Sequence, residues 1–181
     1  MSENPFGVIR ATPEHEDAIF RVLCSLHDEN AVCPMVPEKV KQEIECATRG
    51  SKDEPAIIGL ILGEDKSIEG IVWLTLQPLW YSDWYFLVER LLFVVPEHRR
   101  STHAKRLAQF AKWCSDTMSA NLNGPEGSQK EIPLIIGIMT FKSLEPKMRL
   151  YQRQFKQIGA TFMHRMVPPT TFNQRHVEKV N

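Results

Sequence analysis

The stretch from Phe93 to Leu107, FVVPEHRRSTHAKRL, concentrates side chains that can bind an anion. An apolar run ends at a proline, and a basic and hydroxyl-rich segment then opens what the spacing predicts to be a helix. The first backbone N–H groups of a helix lack an intrahelical acceptor, and the positive end of the helix dipole lies behind them. Arg99 and Arg100 add permanent charge with forked donors, and Ser101 and Thr102 add hydroxyl groups. This combination suits a phosphate or pyrophosphate.

The same residues also allow a purely structural interpretation. Ser101 or Thr102 can cap the helix, and the two arginines can form a solvated face. The local residues alone favour neither interpretation. No Walker-type lysine motif and no GxGxxG pattern occurs in the 181 residues, which disfavours an ordinary nucleotide-binding fold.

The elements that must position this stretch follow from the period of the apolar residues. We predict an extended segment at 6–10, helices at about 12–30 and 37–50, an antiparallel hairpin formed by 56–65 and 67–77, and a strand at 84–95. These elements are followed by a helix over 104–118, a strand at 132–140 buried on both faces, a helix over 143–159 and a last strand at 160–167. The order predicts an α/β (α+β) fold in which a helix crosses between two parallel strands.

The composition limits the classes of partner. The 22 basic and 22 acidic residues cancel, so no overall field attracts nucleic acid or a membrane, and a nucleic-acid partner is disfavoured. The length predicts one domain over 1–181, with a core at about 7–167 and a polar tail at 168–181. The amino-terminal residues do not resemble a signal peptide and no apolar run reaches a membrane span, so we expect a cytoplasmic protein.

No metal site is predicted from the cysteines and histidines. The four cysteines, Cys24, Cys33, Cys46 and Cys114, form no CxxC pair and have no zinc-finger spacing with histidine. His98 and His103 belong to the basic stretch, and the sequence indicates no partner set that would make either one a ligand.

The stretch resembles the central motif of the GCN5-related N-acetyltransferase (GNAT) family, V-x-P-x-x-R/Q followed by the pyrophosphate loop R/Q-x-x-G-x-G/A. Val94, Pro96, Arg99, Ala104 and Leu107 are in register with it, and the predicted order of elements matches that fold over about 7–167. The resemblance implies a mixed, largely antiparallel sheet of six to seven strands flanked by four helices, with a splayed central strand pair that holds acetyl-CoA. The implied cofactor-binding residues are Phe93, Val94, Val95, Arg99, Arg100, Ser101, Thr102, His103, Ala104 and Lys105.

One position departs from the motif. Thr102 occupies the place of the first glycine of the loop, which is favoured because no side chain projects from it toward the phosphates. The threonine must either turn its side chain away or contribute its hydroxyl as a donor.

The resemblance also implies catalytic residues. Glu89, in the strand before the loop, corresponds to the glutamate that often serves as general base in the family; otherwise it is an outward-facing acid paired with a neighbour. Backbone N–H groups near Phe93 to Val95, at a strand irregularity, would contact the thioester oxygen.

Two alignments with the family pattern assign the general acid to different residues. The segment MRLYQRQFKQIGA is similar to the family pattern A-x-x-L-Y-x-x-x-G-F. Matching the LY pair assigns the acid to Tyr151, whereas matching the spacing to Gly159 puts Phe155 there, and phenylalanine cannot donate a proton. Residues four apart share a helix face, so Tyr151 points to the same side as Phe155 and we predict it as the general acid. The alternative is that Tyr151 is a core residue with no part in the chemistry.

The amine acceptor is expected between the early helices and the loop before the strand of Glu89. The aromatic residues Trp80, Tyr81, Trp84 and Tyr85 could cage a cationic amine, cover the sheet, or form a dimer contact. Asp28, Glu29 and Asp83 are candidate ammonium partners.

The resemblance as a whole predicts an N-acetyltransferase that moves an acetyl group directly from acetyl-CoA to a primary amine. The acceptor is a small molecule or a protein, and the chain is a monomer or homodimer. The alternative is a catalytically weak or inactive GNAT-like module that binds coenzyme A or a protein.

Overall fold

The structure is a computed structural model that describes residues 4–30, 34–51, 55–78, 81, 83–122, 129–138 and 144–157. The predicted last strand at 160–167, the polar tail, Cys33 and Trp80 lie outside the described residues.

The described residues form four α-helices and five strands in the predicted order. The strands are β1 (Ile9–Arg10), β2 (Ala56–Leu62), β3 (Ile68–Pro78), β4 (Tyr85–Val94) and β5 (Leu134–Ile136), and the helices are α1 (Glu16–Asn30), α2 (Pro37–Arg49), α3 (His103–Ala120) and α4 (Leu144–Gln152). Two short 3-10 turns, Pro13–His15 and Pro96–His98, precede α1 and the loop before α3. No helix in these ranges is both long enough and apolar enough to cross a membrane.

The strands form one mixed sheet in the order β1-β2-β3-β4-β5. β1 to β4 pair antiparallel, which confirms the predicted hairpin, and β4 pairs with β5 in parallel. The prediction of six to seven strands is too high for the described residues, because the predicted last strand falls outside them. The predicted α/β fold is confirmed.

Helices cover both faces of this sheet. α1 and α2 pack on one face, where Ile19 and Ile44 join Ile58 and Ile71 in a buried cluster. α3 packs on the other face through its predicted apolar stripe, with Leu107, Phe110, Ala111 and Cys114 all buried against the strands. Because the sheet contributes side chains to both clusters, it is the layer that holds the helices in register with one another.

β5 differs from its prediction. Its three residues are half-buried, so the expectation of a strand buried on both faces was wrong for this segment. The apolar run predicted a strand of nine residues, and among those that the structure describes only 134–136 are paired with β4.

Candidate active site

β4 has an irregularity that sets which side chains meet on each face. Arg90 is the extra residue in the register of β4 with β3, since Leu91 is opposite Trp73 and Glu89 is opposite Leu74. Such a bulge adds one residue to one strand and reverses the side-chain alternation beyond it. The irregularity was predicted nearer to residues 93–95, so its position at Arg90 corrects that expectation.

Glu89 forms a buried hydrogen-bonded pair with Tyr151. The phenol Oη of Tyr151 donates to the two carboxylate oxygens of Glu89, at 2.9 and 2.8 Å. The two residues are only 7% and 8% exposed. The two predicted catalytic residues, 62 positions apart in the chain, therefore lie in direct contact.

Burial changes the protonation of this pair. Removal from water raises the pKa of Glu89 from 4.5 to about 7, although the Tyr151 hydrogen bond and the charge of Lys147 act in the opposite direction. Burial, followed by the charge of Glu89, raises the pKa of Tyr151. Burial lowers the pKa of Lys147, while Glu29 and Glu89 raise it. At neutral pH the Glu89 carboxyl can therefore accept or release a proton.

The sheet opens beside this pair. The pairing of β4 with β5 ends at Glu89 and Ile136, while β4 continues to Val94. Beyond Glu89, no described strand occupies the β5 side of β4. Glu89 thus lies where the two parallel strands separate, as the predicted splayed pair requires.

Backbone donors of β4 face this opening. N–H groups along a strand alternate between its two neighbours. The N–H of Val95 donates to the carbonyl of Glu69 on β3, at 3.1 Å, so the N–H of Val94 points to the β5 side and that of Phe93 to β3. Among the three residues predicted to contact a thioester oxygen, the alternation favours Val94.

The side chain of Arg99 lies on the same side of β4. Its Nε donates to the carbonyl of Val94 at 3.3 Å, and its guanidinium pairs with the carboxylate of Glu29 on α1. The guanidinium also lies over the ring of Phe93. Arg99 therefore joins the loop to α1, and Glu29, a predicted ammonium partner, is paired with it.

The start of α3 combines a cap with open donors. The hydroxyl of Ser101 accepts from the N–H of His103, the first residue of α3, at 3.1 Å, while Thr102 occupies the N-cap position itself. Thr102 makes no side-chain capping bond. Ala104 and Lys105 lie in the first turn, where N–H groups have no intrahelical acceptor. Ser101 thus satisfies one donor at the helix start, and the N–H groups of Ala104 and Lys105 have no acceptor within the helix.

The backbone at Thr102 does not require glycine. Its φ of −85° and ψ of 3° are accessible to any residue. Thr102, Arg99, Arg100 and Ser101 are exposed. Threonine therefore fits this position without backbone strain.

Solved structures share this architecture at low sequence identity. A protein described as a "probable acetyltransferase" matches with a TM-score of 0.63 and 18% identity, over 89% of this chain and 96% of the other. A GNAT family acetyltransferase from Staphylococcus aureus matches with a TM-score of 0.57 and 11% identity, over 88% and 97%. The chain has the GNAT acetyltransferase fold.

A third structure with a similar fold was solved with a ligand. AAC(6')-Iy, in complex with the bisubstrate analogue CoA-S-monomethyl-acetylneamine, matches with a TM-score of 0.62 and 10% identity, over 89% of this chain and 97% of that one. No family model matches the sequence, and no curated protein matches it either. The GNAT fold is thus visible in the structure, whereas the sequence matches no family model and no curated protein.

Within the GNAT fold, the predicted aromatic residues lie on the surface near the start of β4. Tyr81, Trp84 and Tyr85 are 67%, 52% and 45% exposed. Tyr85 is four residues before Glu89, about 13 Å along the strand, and on the same face. The backbone of Tyr85 is held by Gln129, which both accepts from its N–H and donates to its carbonyl.

Sequence reasoning missed two charged residues that the GNAT fold brings into play. Lys147 is half-buried one helical turn before Tyr151, and that spacing of four was a signal for a shared face. Glu69 contacts His103 at 2.6 Å and His98 at 3.6 Å, which corrects the expectation that neither histidine has a partner set. No spacing in the sequence indicates that contact, because Glu69 lies on β3.

Proposed function

We propose that this protein is an acetyl-CoA-dependent N-acetyltransferase that acts on a primary amine by direct transfer. The observation that carries the proposal is the buried Glu89–Tyr151 pair, located where β4 and β5 separate. The likeness to solved acetyltransferases supports the fold, and the pair supplies the chemistry.

Glu89 acts as the general base. A primary amine has a pKa near ~10 and is mostly protonated at neutral pH, so it must lose a proton before it attacks. Burial raises the pKa of the Glu89 carboxyl to about 7, so its carboxylate is a stronger base than that of an exposed glutamate. The ammonium proton passes to Glu89, either directly or through one water.

The N–H of Val94 stabilises the oxyanion as the amine nitrogen attacks the thioester carbonyl. The new C–N bond forms, the C–S bond breaks, and the sulfur leaves with the electron pair of that bond. Tyr151 donates its phenol proton to this thiolate, and the proton on Glu89 then passes to Tyr151 through their hydrogen bond. Glu89, ionised again, accepts the second proton, which the nitrogen loses as the amide forms, and releases it to solvent. Protonation of Glu89 removes its negative charge, which is one cause of the raised pKa of Tyr151, so proton transfer to Glu89 makes the phenol of Tyr151 a better acid.

The start of α3 holds the pyrophosphate of the coenzyme. The donor set fits this anion, because the N–H groups of Ala104 and Lys105 and the hydroxyl of Thr102 belong to one turn, in which Thr102 and Lys105 are exposed and Ala104 is half-buried. Since Arg99 is paired with Glu29, the exposed Arg100 is the stronger candidate for charge recognition.

Calorimetry with acetyl-CoA tests this site. We expect Arg100→Ala to weaken binding by roughly 10-fold, the loss of one charge-assisted hydrogen bond. Arg49→Ala is the matched control, since Arg49 lies at the end of α2 and pairs with Glu16 and Glu45. Equal affinities for acetyl-CoA in the two variants would show that Arg100 does not contact the coenzyme. If the folded wild type does not bind acetyl-CoA, the proposed function is wrong.

Turnover is tested by acetyl-CoA consumption with amino acids, polyamines, aminoglycosides and protein amines. Consumption that needs both an amine and Glu89 supports the proposal. Binding without turnover on any of them supports the second candidate, a catalytically weak module with the GNAT fold.

The second candidate is favoured by two observations. Arg99 is already paired with Glu29. The exposed Tyr81, Trp84 and Tyr85 offer a surface for a protein partner.

A further inference from the structure

Three potential metal ligands from separate segments meet at the β3 side of the loop before α3. They are Glu69 on β3, His98 at the end of the 3-10 turn, and His103, the first residue of α3. Their ligand atoms all lie within 4.8 Å of one another. This arrangement is unrelated to the Glu89–Tyr151 pair, because β3 borders β4 on the edge opposite to β5.

The backbone directs Glu69 toward the histidines. Glu69 has no partner in the pairing with β2, since Ile68 is opposite Leu62 and Gly70 is opposite Ile61. A bulged residue departs from the regular alternation, and bulges commonly re-aim a side chain. The Glu69 carbonyl is held by the N–H of Val95 at 3.1 Å, so the bulge is anchored to β4.

The distances suit one shared ion. The Oε2 atom of Glu69 lies 2.6 Å from Nε2 of His103 and 3.6 Å from Nδ1 of His98. Ligands about 2.0–2.1 Å from a tetrahedral zinc ion are about 3.3 Å apart, a value between these two. The two imidazole rings stack with centroids 5.8 Å apart and 16° between their planes, so they lie side by side with their edges near Glu69.

Solvent reaches the three ligands mainly on the side of His98. The side chain of His98 is 39% exposed, whereas those of Glu69 and His103 are 19% and 12% exposed. Binding through Nε2 of His103 requires the proton to be on Nδ1, which lies 3.5 Å from Nη1 of Arg106. That long contact is lost at little cost, because Arg106 also donates to the carbonyls of Phe6 and Gly7, at 2.7 and 2.9 Å.

We propose that Glu69, His98 and His103 bind a divalent transition-metal ion of the zinc class, with water completing the coordination. Two imidazoles and a carboxylate are a ligand set that zinc accepts. The ion would tie β3 to both ends of residues 99–102, because His98 precedes this segment and His103 follows it. The site goes beyond the acetyl-transfer proposal and does not depend on it.

The test is a calorimetric titration of ZnCl₂ into the full chain, freed of metal with a chelator, together with thermal unfolding. We expect one ion per chain and a rise in the unfolding temperature with zinc concentration, since an ion that binds the folded state stabilises it. Glu69→Gln, His98→Asn and His103→Asn should each weaken binding by more than about 10-fold, a loss seen even for outer-shell partners of metal ligands. His27→Asn, on α1 outside the cluster, should keep the wild-type affinity.

A separate experiment must test whether a cysteine binds the ion, because Cys46 is an exposed free cysteine. Cobalt(II) absorption distinguishes the ligands: the proposal expects d–d bands without a thiolate-to-cobalt charge-transfer band, and unchanged zinc binding in Cys46→Ser. A charge-transfer band that disappears in Cys46→Ser would overturn it.

Two further outcomes would also overturn the proposal. One is wild-type affinity in the His98→Asn variant, which changes the most exposed of the three side chains and is the one most expected to fold. The other needs no variant: an unfolding temperature of the wild-type chain that does not respond to zinc.

Discussion

At the scale of the residue, Glu89 owes its chemistry to its surroundings. An exposed glutamate has a pKa near 4.5 and is a weak base at neutral pH. Burial between β4 and α4 raises the pKa of Glu89 to about 7, and Tyr151 and Lys147 limit that rise. The carboxyl is therefore suited to proton transfer near neutral pH.

Replacing this carboxyl tests its role. We expect Glu89→Gln to lower kcat about 10²- to 10⁴-fold, the usual contribution of a general base. In the wild type the rate should rise as pH increases through about 7, because only the ionised carboxyl accepts a proton; the variant should lack this limb. Glu45→Gln, an exposed acid on α2, is the control, and an unchanged pH–rate profile in Glu89→Gln would contradict base catalysis.

Tyr151 has a separable effect on the same profile. Tyr151→Phe removes the hydrogen bond that lowers the pKa of Glu89, so the limb should move above pH 7 while kcat falls by about 10²-fold. The control is Phe155→Leu, since the Phe155 ring packs edge-on against Tyr151 at 6.0 Å but carries no proton. A limb that stays in place with normal turnover would assign Tyr151 to packing alone.

At the scale of the element, the bulge at Arg90 decides what β4 presents to each face. Before the bulge, Leu87 faces α3; after it, Leu92 and Val94 contact the same cluster, and Phe93 joins the cluster under α1 and α2. Without the extra residue, the alternation beyond Glu89 would be reversed. The bulge therefore lets one strand present both Glu89 and the apolar residues that hold α3.

The contact between α3 and β2 can be tested at a glycine. A Cβ at Gly59 would lie 2.6 Å from a ring carbon of Phe110 and 2.9 Å from Val8. We expect Gly59→Ala to lower the free energy of unfolding by about 1–3 kcal/mol, the usual cost of overpacking. Urea denaturation measures this change.

The matched control is Gly137→Ala. No heavy atom of the described residues lies within 4 Å of the Cβ position there, and Gly137 does not have a positive φ. Its stability should be unchanged or rise by about 0.4–1 kcal/mol. Equal losses in both variants would show that the cost does not come from the Phe110 contact.

At the scale of the whole molecule, the sheet joins the two core clusters, so the ionisation of one buried group affects the stability of the entire fold. The folded-state pKa of Glu89, about 7, is above its ordinary value of 4.5. Between these values the folded chain binds more protons at this site than the unfolded chain does. The contribution of the protonated carboxyl is complete below pH 4.5 and is lost as pH rises through 7.

The measurement compares the wild type with Glu89→Gln. From pH 4.5 to 8 the wild type should lose roughly 3 kcal/mol of unfolding free energy relative to the variant, since each pKa unit corresponds to about 1.4 kcal/mol. Urea denaturation at several pH values gives both curves. Parallel curves would mean that Glu89 has the same pKa in the folded and unfolded chains.

The order of the elements could be predicted because it depends on local sequence. The apolar stripe of α3, with Leu107 and Phe110, follows from the helical period, and β2 and β3 follow from apolar runs around a charged turn. The strand prediction at 132–140 was less accurate. An apolar run shows that residues are to be buried, but pairing with β4 decides where the strand ends.

The candidate site was predictable in part. Glu89, Tyr151 and the loop at Arg99 and Arg100 could be named because they belong to one continuous motif or to a helix pattern. The partner of Arg99 could not, because Glu29 lies 70 residues away on α1. The contact of Glu69 with His98 and His103 was missed for the same reason.

The sequence by itself determined the elements, their order and the residue types at the strand-to-helix turn, since these depend on interactions between near neighbours in the chain. Only the tertiary structure decided that Tyr151 donates to Glu89, that this pair is buried where β4 leaves β5, and that a bulge brings Glu69 to two histidines. These contacts join residues far apart in the chain. Their energies depend on burial and distance, which exist only once the sheet and helices have packed.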